Sequence, residues 1–360
     1  MTTQFNLWAA GDAHIGTDLR NGRRSLAEAI NQSEGRDPDA EGFDWDIMLD
    51  VGDLSGSQTP PDDEEGAELM AQYAEMKDHR RAQVYNLAGN HDASGETEQT
   101  QWWFQRYGDP DGRNTRWSGV DAADRPFTVE GTWERYKFQV GNLLFLVMSD
   151  RNDGGPPVGR GVRGGYPAGA VTGETFDWWI EQVEANQHLN IISAHHHMLK
   201  ETTVASGEWE GFQAKDKYGH RKAEFHGYMA DGGPMGASYL YWVDGNPDAE
   251  AFERYLEANP GVIDLWIGGH THARTDEIVN GRTHFEERWG VKFLNCAALS
   301  VYHHTAHRIP FPAMSRLLTF TDGATETRIR CYRHTDVAGP KGFADDQERT
   351  FNLRHPFEAP

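Results

Sequence analysis

The chain holds 360 residues, with 34 Lys+Arg against 56 Asp+Glu and a formal charge of −22. That length suits two average domains or one large α/β domain, and no run of about 18 apolar residues is present to cross a bilayer. A field this negative disfavours nonspecific binding of nucleic acid or of anionic membranes, and it also opposes a phosphorylated substrate.

Strands, loops and helices alternate along the sequence. A short apolar strand is expected at 5–10 and another at 46–51, inside a stretch (34–68) with thirteen acids and one Arg that reads as solvated loop. A helix follows at 67–79, then a strand at 83–88. Alternating residues at 132–140 turn at Gly141-Asn142 into an apolar strand at 143–148. Residues 151–173 hold eight glycines, three prolines and Arg151, Arg160 and Arg163. A helix at 175–185 buries Phe176, Trp179, Ile180 and Val183, and a strand follows at 191–194. Residues 200–241 are polar, aromatic and Gly-punctuated, with Trp209, Phe212, Tyr218 and Tyr228 as a candidate wall or packing face. Asn246-Pro247 predicts the start of a helix over 248–258, and a strand follows at 262–267. Asn280-Gly281 and Asp322-Gly323 predict hairpins, the second joining 316–320 to 325–332. The 12 Trp, 12 Tyr and 17 Phe supply core area. Cys296 and Cys331 are too few to staple the chain and read as buried thiols. With no basic-then-apolar leader, they point to a reducing, cytoplasmic setting.

The residues after the strands carry the chemistry. They are Gly11-Asp12-Ala13-His14, Gly52-Asp53, Gly89-Asn90-His91-Asp92, His195-His196-His197 and Gly268-Gly269-His270-Thr271-His272. In an open α/β sheet the carboxyl ends of the strands share one rim, where ligands bind. Carboxylate, imidazole and amide oxygen together suit borderline divalent ions such as Mn, Fe, Zn or Co, with Mg also compatible. The donors are too many for one ion, and Asp53 could bridge two. Paired ions clamp the attacking and leaving oxygens of a displacement at phosphorus.

Asp12-x-His14, Gly52-Asp53, Gly89-Asn90-His91-Asp92, a His after a strand and Gly269-His270-x-His272, in this order over 12–272, resemble the calcineurin-like metallophosphoesterases. The resemblance implies an α/β (α+β) fold, a four-layer αββα sandwich with mixed sheets, and two divalent metal ions: Mn2+, Fe2+/Fe3+ or Zn2+, with Mg2+ or Co2+ also admitted. Carried over, Asp12, His14, Asp53 and His272 hold the first ion. Asp53, Asn90, His270 and one of the triple histidines hold the second, with Asp53 bridging. His91 stands outside the metal shell and faces the scissile phosphate. Asp92 orients either His91 or a loop amide. Residues 291–297 followed by Ser300 resemble the strand that closes the family's second sheet, and 316–332 resemble its last hairpin.

The family often shows His-x-Pro at the fifth ligand position, and this chain has no proline there. With Met198 in the proline's place the ligand is His196; counted from the strand end it is His195. His196 is preferred, and His197 is read as a neighbour. After Asp53 the chain reads Leu54-Ser55-Gly56, without the Asp-Arg-Gly of the protein Ser/Thr phosphatases. The small-molecule phosphodiesterase and phosphatase branches are therefore the nearer resemblance.

The reading is a single phosphoesterase domain over 1–335, with insertions near 93–125, 151–173 and 200–241 and an irregular extension over 336–360. The expected activity is hydrolysis of a small phosphodiester or phosphomonoester by a hydroxide bridging the two ions. His91 would protonate the leaving oxygen, and Asn90, Arg151, Arg160 and Arg163 would contact the substrate. A nuclease on the same frame is disfavoured by the charge and the lack of a basic stripe. A non-catalytic scaffold is disfavoured because every motif position is filled. The expected partner is a small phosphorylated substrate, not a membrane or a nucleic acid. The acidity does not forbid it, because two divalent ions against Asp12 and Asp53 leave a local charge of about +2.

Overall fold

The computed structural model describes residues 3–56, 59–95, 98–152, 168–208, 210, 238–300, 313–337 and 339–360. The first part runs β1 (Gln4–Ala10), α1 (Ile15–Arg20), α2 (Ser25–Ser33), β2 (Ile47–Asp50), α3 (Asp63–Tyr73), β3 (Val84–Asn86), α4 (Trp102–Tyr107) and α5 (Thr115–Ser118). The middle adds β4 (Glu130–Gly131), β5 (Arg135–Val140), β6 (Leu143–Met148), β7 (Ala170–Val171), α6 (Gly173–Ala185), β8 (Asn190–His195), β9 (Trp242–Val243), β10 (Asn246–Pro247) and α7 (Ala251–Ala258). The last part holds β11 (Leu265–Gly268), β12 (Phe285–Arg288), β13 (Val291–Asn295), β14 (Met314–Thr321), β15 (Glu326–Arg333), β16 (Gly342–Phe343) and β17 (Arg349–Asn352).

Among the described residues, two seven-stranded mixed sheets form the centre. In the first, the order is β16-β15-β14-β1-β2-β3, with β17 also on β15; β1, β2 and β3 are parallel and β14 runs against β1. In the second, the order is β12-β13-β11-β8-β6-β5-β4, with β13, β11, β8 and β6 parallel. Strand alternation explains the layers. In β1, Phe5, Leu7 and Ala9 enter the core between the sheets, while Trp8 and Ala10 pack under the helices of the first half. In β8, Ile192 and Ala194 face the first sheet and Ile191 packs beneath α6 and α7 with Trp179, Val183 and Phe252. Helices thus cover both outer faces, the αββα order expected. No helix among the described residues is long and apolar enough to cross a membrane. Cys296 and Cys331 are buried free thiols.

Several elements depart from expectation for local reasons. α3 begins at Asp63 instead of 67, because Asp62 caps it by accepting the Glu64 and Glu65 amides at 3.0 Å each. α7 begins at Ala251. Asn246-Pro247 is a strand instead, drawn into a hairpin with Trp242–Val243 by Asp244-Gly245, both at positive φ. Residues 336–360, expected to be irregular, contribute β16 and β17; Phe351, Leu353 and Phe357 enter the core between the sheets. β13 does not end the second sheet, since β12 pairs outside it.

One buried carboxyl away from the rim gives a test of the packing. Glu253 on α7 is 7 % exposed and accepts the Lys200 amide at 3.0 Å. Burial pushes its carboxyl up to about 7 against the pull of that amide. A raised folded-state value contributes stability that is complete below about pH 4 and lost as pH rises through about 7. Glu253→Gln, fixed in the neutral form, is expected to be more stable than wild type at pH 8 by about 3 kcal/mol, with the gap closing toward pH 4. Thermal melts of both proteins at the two pH values check this.

Candidate metal centre

The carboxyl ends of β1, β2 and β3 meet those of β8 and β11 along one rim. Asp12 and His14 follow β1, Asp53 follows β2, and Asn90 and His91 follow β3. His196 follows β8, and His270 and His272 follow β11. Cross-rim backbone bonds fix these turns: Asp12 N to Gly52 O at 2.7 Å, His14 N to Asp53 O at 3.0 Å and Gly269 N to His196 O at 2.8 Å. Asp12, His14, Asp53, His270 and His272 have φ of 56°, 48°, 56°, 66° and 46°. Non-glycine residues seldom adopt this left-handed conformation, and such strain concentrates at functional sites.

The side chains converge in two groups, Asp12–His14–Asp53–His272 and His196–His197–His270. His272 Nε2 lies 2.7 Å from Asp12 Oδ1 and 2.9 Å from His14 Nε2. His14 Nε2 lies 3.9 Å from Asp53 Oδ2, and His196 Nε2 lies 3.1 Å from the same oxygen. Asp53 therefore stands between the groups. Its Oδ1 accepts the His91 amide at 2.7 Å, while His91 Nε2 lies 4.0 Å from Oδ2. His91 is 12 % exposed, whereas Asp12, His14 and His196 are fully buried.

Electrostatics agree with a cation-binding arrangement. Burial opposes ionisation of both carboxyls, but His272 and His196 hold Asp12, and His196 and His91 hold Asp53, below the usual carboxylate range. Burial also works against a charged His196, yet Asp53 and Asp12 bring its imidazole up to about 10. His270 moves the other way, down to about 3, through burial and then His196. A neutral imidazole is the form that binds a metal.

Of the triple histidines, His196 reaches Asp53, with Nδ1 anchored to Val51 O at 2.7 Å. His195 turns aside: its Nδ1 takes the His197 amide at 3.0 Å and its Nε2 lies 4.0 Å from Asp150. His197, set aside in the sequence reading, lies in the group with His196 and His270. Asp92 is buried and binds amides, Oδ2 taking Gly89 at 2.7 Å and Asp53 at 3.1 Å and Oδ1 taking Ser55 at 2.7 Å. It locks the Asp53 turn, the second of the two roles read for it. Arg151 is 8 % exposed and pairs with Glu134 at 3.1 Å. Arg160 and Arg163, and the aromatics Trp209, Phe212, Tyr218 and Tyr228, lie outside the described residues.

Two positioning residues escaped the sequence reading. Asn295, at the end of β13, donates to Gly269 O at 3.0 Å and to Thr271 Oγ1 at 2.9 Å, bracing the turn that carries His270 and His272. Asp150, just past β6, faces His197 at 3.0 Å. Both sit at carboxyl ends of strands, the signal that located the other residues.

A close approach makes Gly89 a second test. A Cβ there would strike the backbone N and the Oδ1 of Asp53. Gly89→Ala is expected to displace that carboxylate, lowering kcat/KM by about 10²-fold together with ion affinity; steady-state kinetics and calorimetric metal titration would register both.

The family model for calcineurin-like phosphoesterases matches residues 5–274. No curated protein matches the chain significantly in sequence. Among solved structures, the chain is similar to a dimetal phosphatase from Danio rerio, at 11 % identity over 97 % of this chain and 98 % of that one, with a TM-score of 0.48. It is also similar to the anchor in the inner membrane complex of Plasmodium, at 11 % identity over 99 % and 90 % of the two chains and a TM-score of 0.46. A third is a protein of Thermus thermophilus, at 10 % identity over 98 % and 100 % and a TM-score of 0.41.

Proposed function

Because the chain belongs to the calcineurin-like phosphoesterase family, a family of metal-dependent hydrolases of phosphoester bonds, we propose that its substrate is a small phosphodiester or phosphomonoester. The observation that carries the reading is Asp53, whose one carboxylate stands between a carboxylate–imidazole group and an imidazole group. The absence of the Asp-Arg-Gly extension and the −22 charge support a small substrate over a phosphoprotein or a nucleic acid.

The family implies two divalent ions, and the residues present suit them. Asn90 Oδ1 is buried without a hydrogen-bond partner among the described residues, and the Nε2 atoms of His14 and His272 approach each other to 2.9 Å beside Asp12, close enough to serve one cation. Asp12, His14, Asp53 and His272 would hold one ion, and Asp53, Asn90, His196 and His270 the other. The donor set suits Mn2+, Fe2+/Fe3+ or Zn2+, with Mg2+ or Co2+ also admitted. When bound, the ions neutralise the charge that develops on the phosphoryl oxygens.

The chain's own residues supply the rest. Asp92 holds the Asp53 turn by its amides, and the His91 amide fixes Asp53 Oδ1. The His91 ring, partly exposed at the rim, carries a proton to the leaving oxygen. The Asn90 nitrogen donates to a phosphoryl oxygen and fixes its direction.

The test strips metal from the protein and restores Mn, Zn, Fe or Mg singly, with bis-p-nitrophenyl phosphate and p-nitrophenyl phosphate compared side by side. Activity on at least one ester, absent without metal and regained with it, is the expected result. Turnover of neither ester with any ion would sink the reading, and preferential cleavage of duplex DNA would replace a small substrate with a nuclease role.

A further inference from the structure

His197 is a buried imidazole that the four-residue set for the second ion leaves without work. It is fully buried, and neither of its ring nitrogens makes a hydrogen bond among the described residues. Its ring lies 3.8 Å from that of His270 at 35°, and 5.1 Å from that of His196 at 84°. One ligand atom from each of the three lies within 4.8 Å of the others. Behind it, Asp150 Oδ2 stands 3.0 Å from Nδ1. That carboxylate is itself held in place: Oδ2 accepts the Gly169 amide at 2.8 Å and Oδ1 the Asn152 amide at 2.8 Å, and the Asp150 amide donates to Ala88 O at 2.8 Å. The Asp150 carboxylate lies at ion-pair distance from one imidazole nitrogen, close enough to act as the outer-shell carboxylate that metal-ligating histidines commonly have.

We propose that His197 is an additional ligand of the second ion, oriented by Asp150, so that this subsite offers three imidazoles. The assignment rests on the two-ion reading above. A buried imidazole nitrogen without a hydrogen-bond partner is a costly group to leave unsatisfied, and a cation can satisfy it. A cation shared by His196, His197 and His270 satisfies all three rings at once. Three nitrogens also change the selectivity of the subsite, favouring Zn2+ or Co2+ over the oxygen-seeking Mg2+. Asp150 is a positioning residue in this arrangement and touches neither ion nor substrate.

The experiment is a calorimetric Zn2+ titration of the metal-free full chain, with bound zinc counted after dialysis. Wild type is expected to take two ions. His197→Gln should keep the first ion and weaken the second by at least about tenfold, and Asp150→Asn should weaken it by about 10–100-fold, while His195→Gln changes neither. Both variants should also lose preference for Zn2+ over Mg2+ at the second ion. Two ions of wild-type affinity in His197→Gln would overturn the proposal, whereas failure of wild type to bind any ion would overturn the two-ion reading instead. Should the substitutions unfold the chain, nitrogen-15 histidine spectra of wild type decide: zinc should shift the ring nitrogens of His14, His196, His197, His270 and His272, and an unmoved His197 would reject the assignment.

Discussion

Asp53→Asn is expected to lower kcat/KM by about 10⁴-fold and to deplete both ions. Asp53 Oδ2 lies 3.9 Å from His14 Nε2 and 3.1 Å from His196 Nε2, whereas Asp12 Oδ1 sits against His272 at 2.7 Å and is 4.0 Å from His196 Nε2. A carboxamide has the same shape but brings no charge, so the two ions proposed for this site would lose an anion they share. Removal of one preorganised electrostatic contact costs about 10²–10³ in rate, and here two are lost together. A 10⁴-fold fall corresponds to about 5.5 kcal/mol of transition-state stabilisation. The fold should survive, because the Asn oxygen can still accept the His91 amide. Metal analysis, kinetics and circular dichroism on one preparation separate the cases. Full two-ion content with a loss below tenfold would deny Asp53 its bridging place.

His91→Ala should show the complementary pattern, with both ions retained and kcat reduced by about 10²–10⁴. The His91 amide holds Asp53, but that bond belongs to the backbone and survives the substitution. Its ring is the part at the exposed rim, in edge contact with His14 at 5.0 Å between centroids. Loss of the ring therefore removes a proton carrier and leaves the ligand groups in place. The deficit should be smaller for an ester with an acidic leaving group, such as p-nitrophenol, than for an alkyl ester. Parallel loss of metal and activity would identify His91 as a ligand instead.

Much of the centre was legible because its residues follow buried strands. Apolar runs such as Leu143–Met148 have few alternatives, and the Gly, Asp and His residues after them mark where backbone leaves the sheet. What the sequence obscured depended on turn geometry. Three consecutive histidines do not reveal which ring faces inward, since the residues past His195 no longer follow strand alternation. Asp150 was hidden for a related reason: attention falls on the Arg-bearing loop after it, while its own role depends on Gly169 and Ala170 returning to it. α7 was misplaced because Asn246-Pro247 is a good helix start in isolation, and the Asp244-Gly245 turn overrides it. In the C-terminal stretch, Phe351 and Leu353 alternate with polar neighbours, a strand signal overshadowed by the charged residues before it.

The centre draws on both sheets. Asp12, His14, Asp53 and Asn90 hang from the first, His196, His270 and His272 from the second, and the Asp12–His272 contact closes a separation of 260 residues. Synthesis therefore delivers the pieces far apart in time. For a growing chain, the second proposed ion set is complete only when residue 270 has been made and the first only at residue 272, and the first sheet waits longer still for β14, which flanks β1. Contacts of such long sequence separation form late and slowly, so metal capture should be among the last events of maturation, acting as a latch on sheets that have already docked.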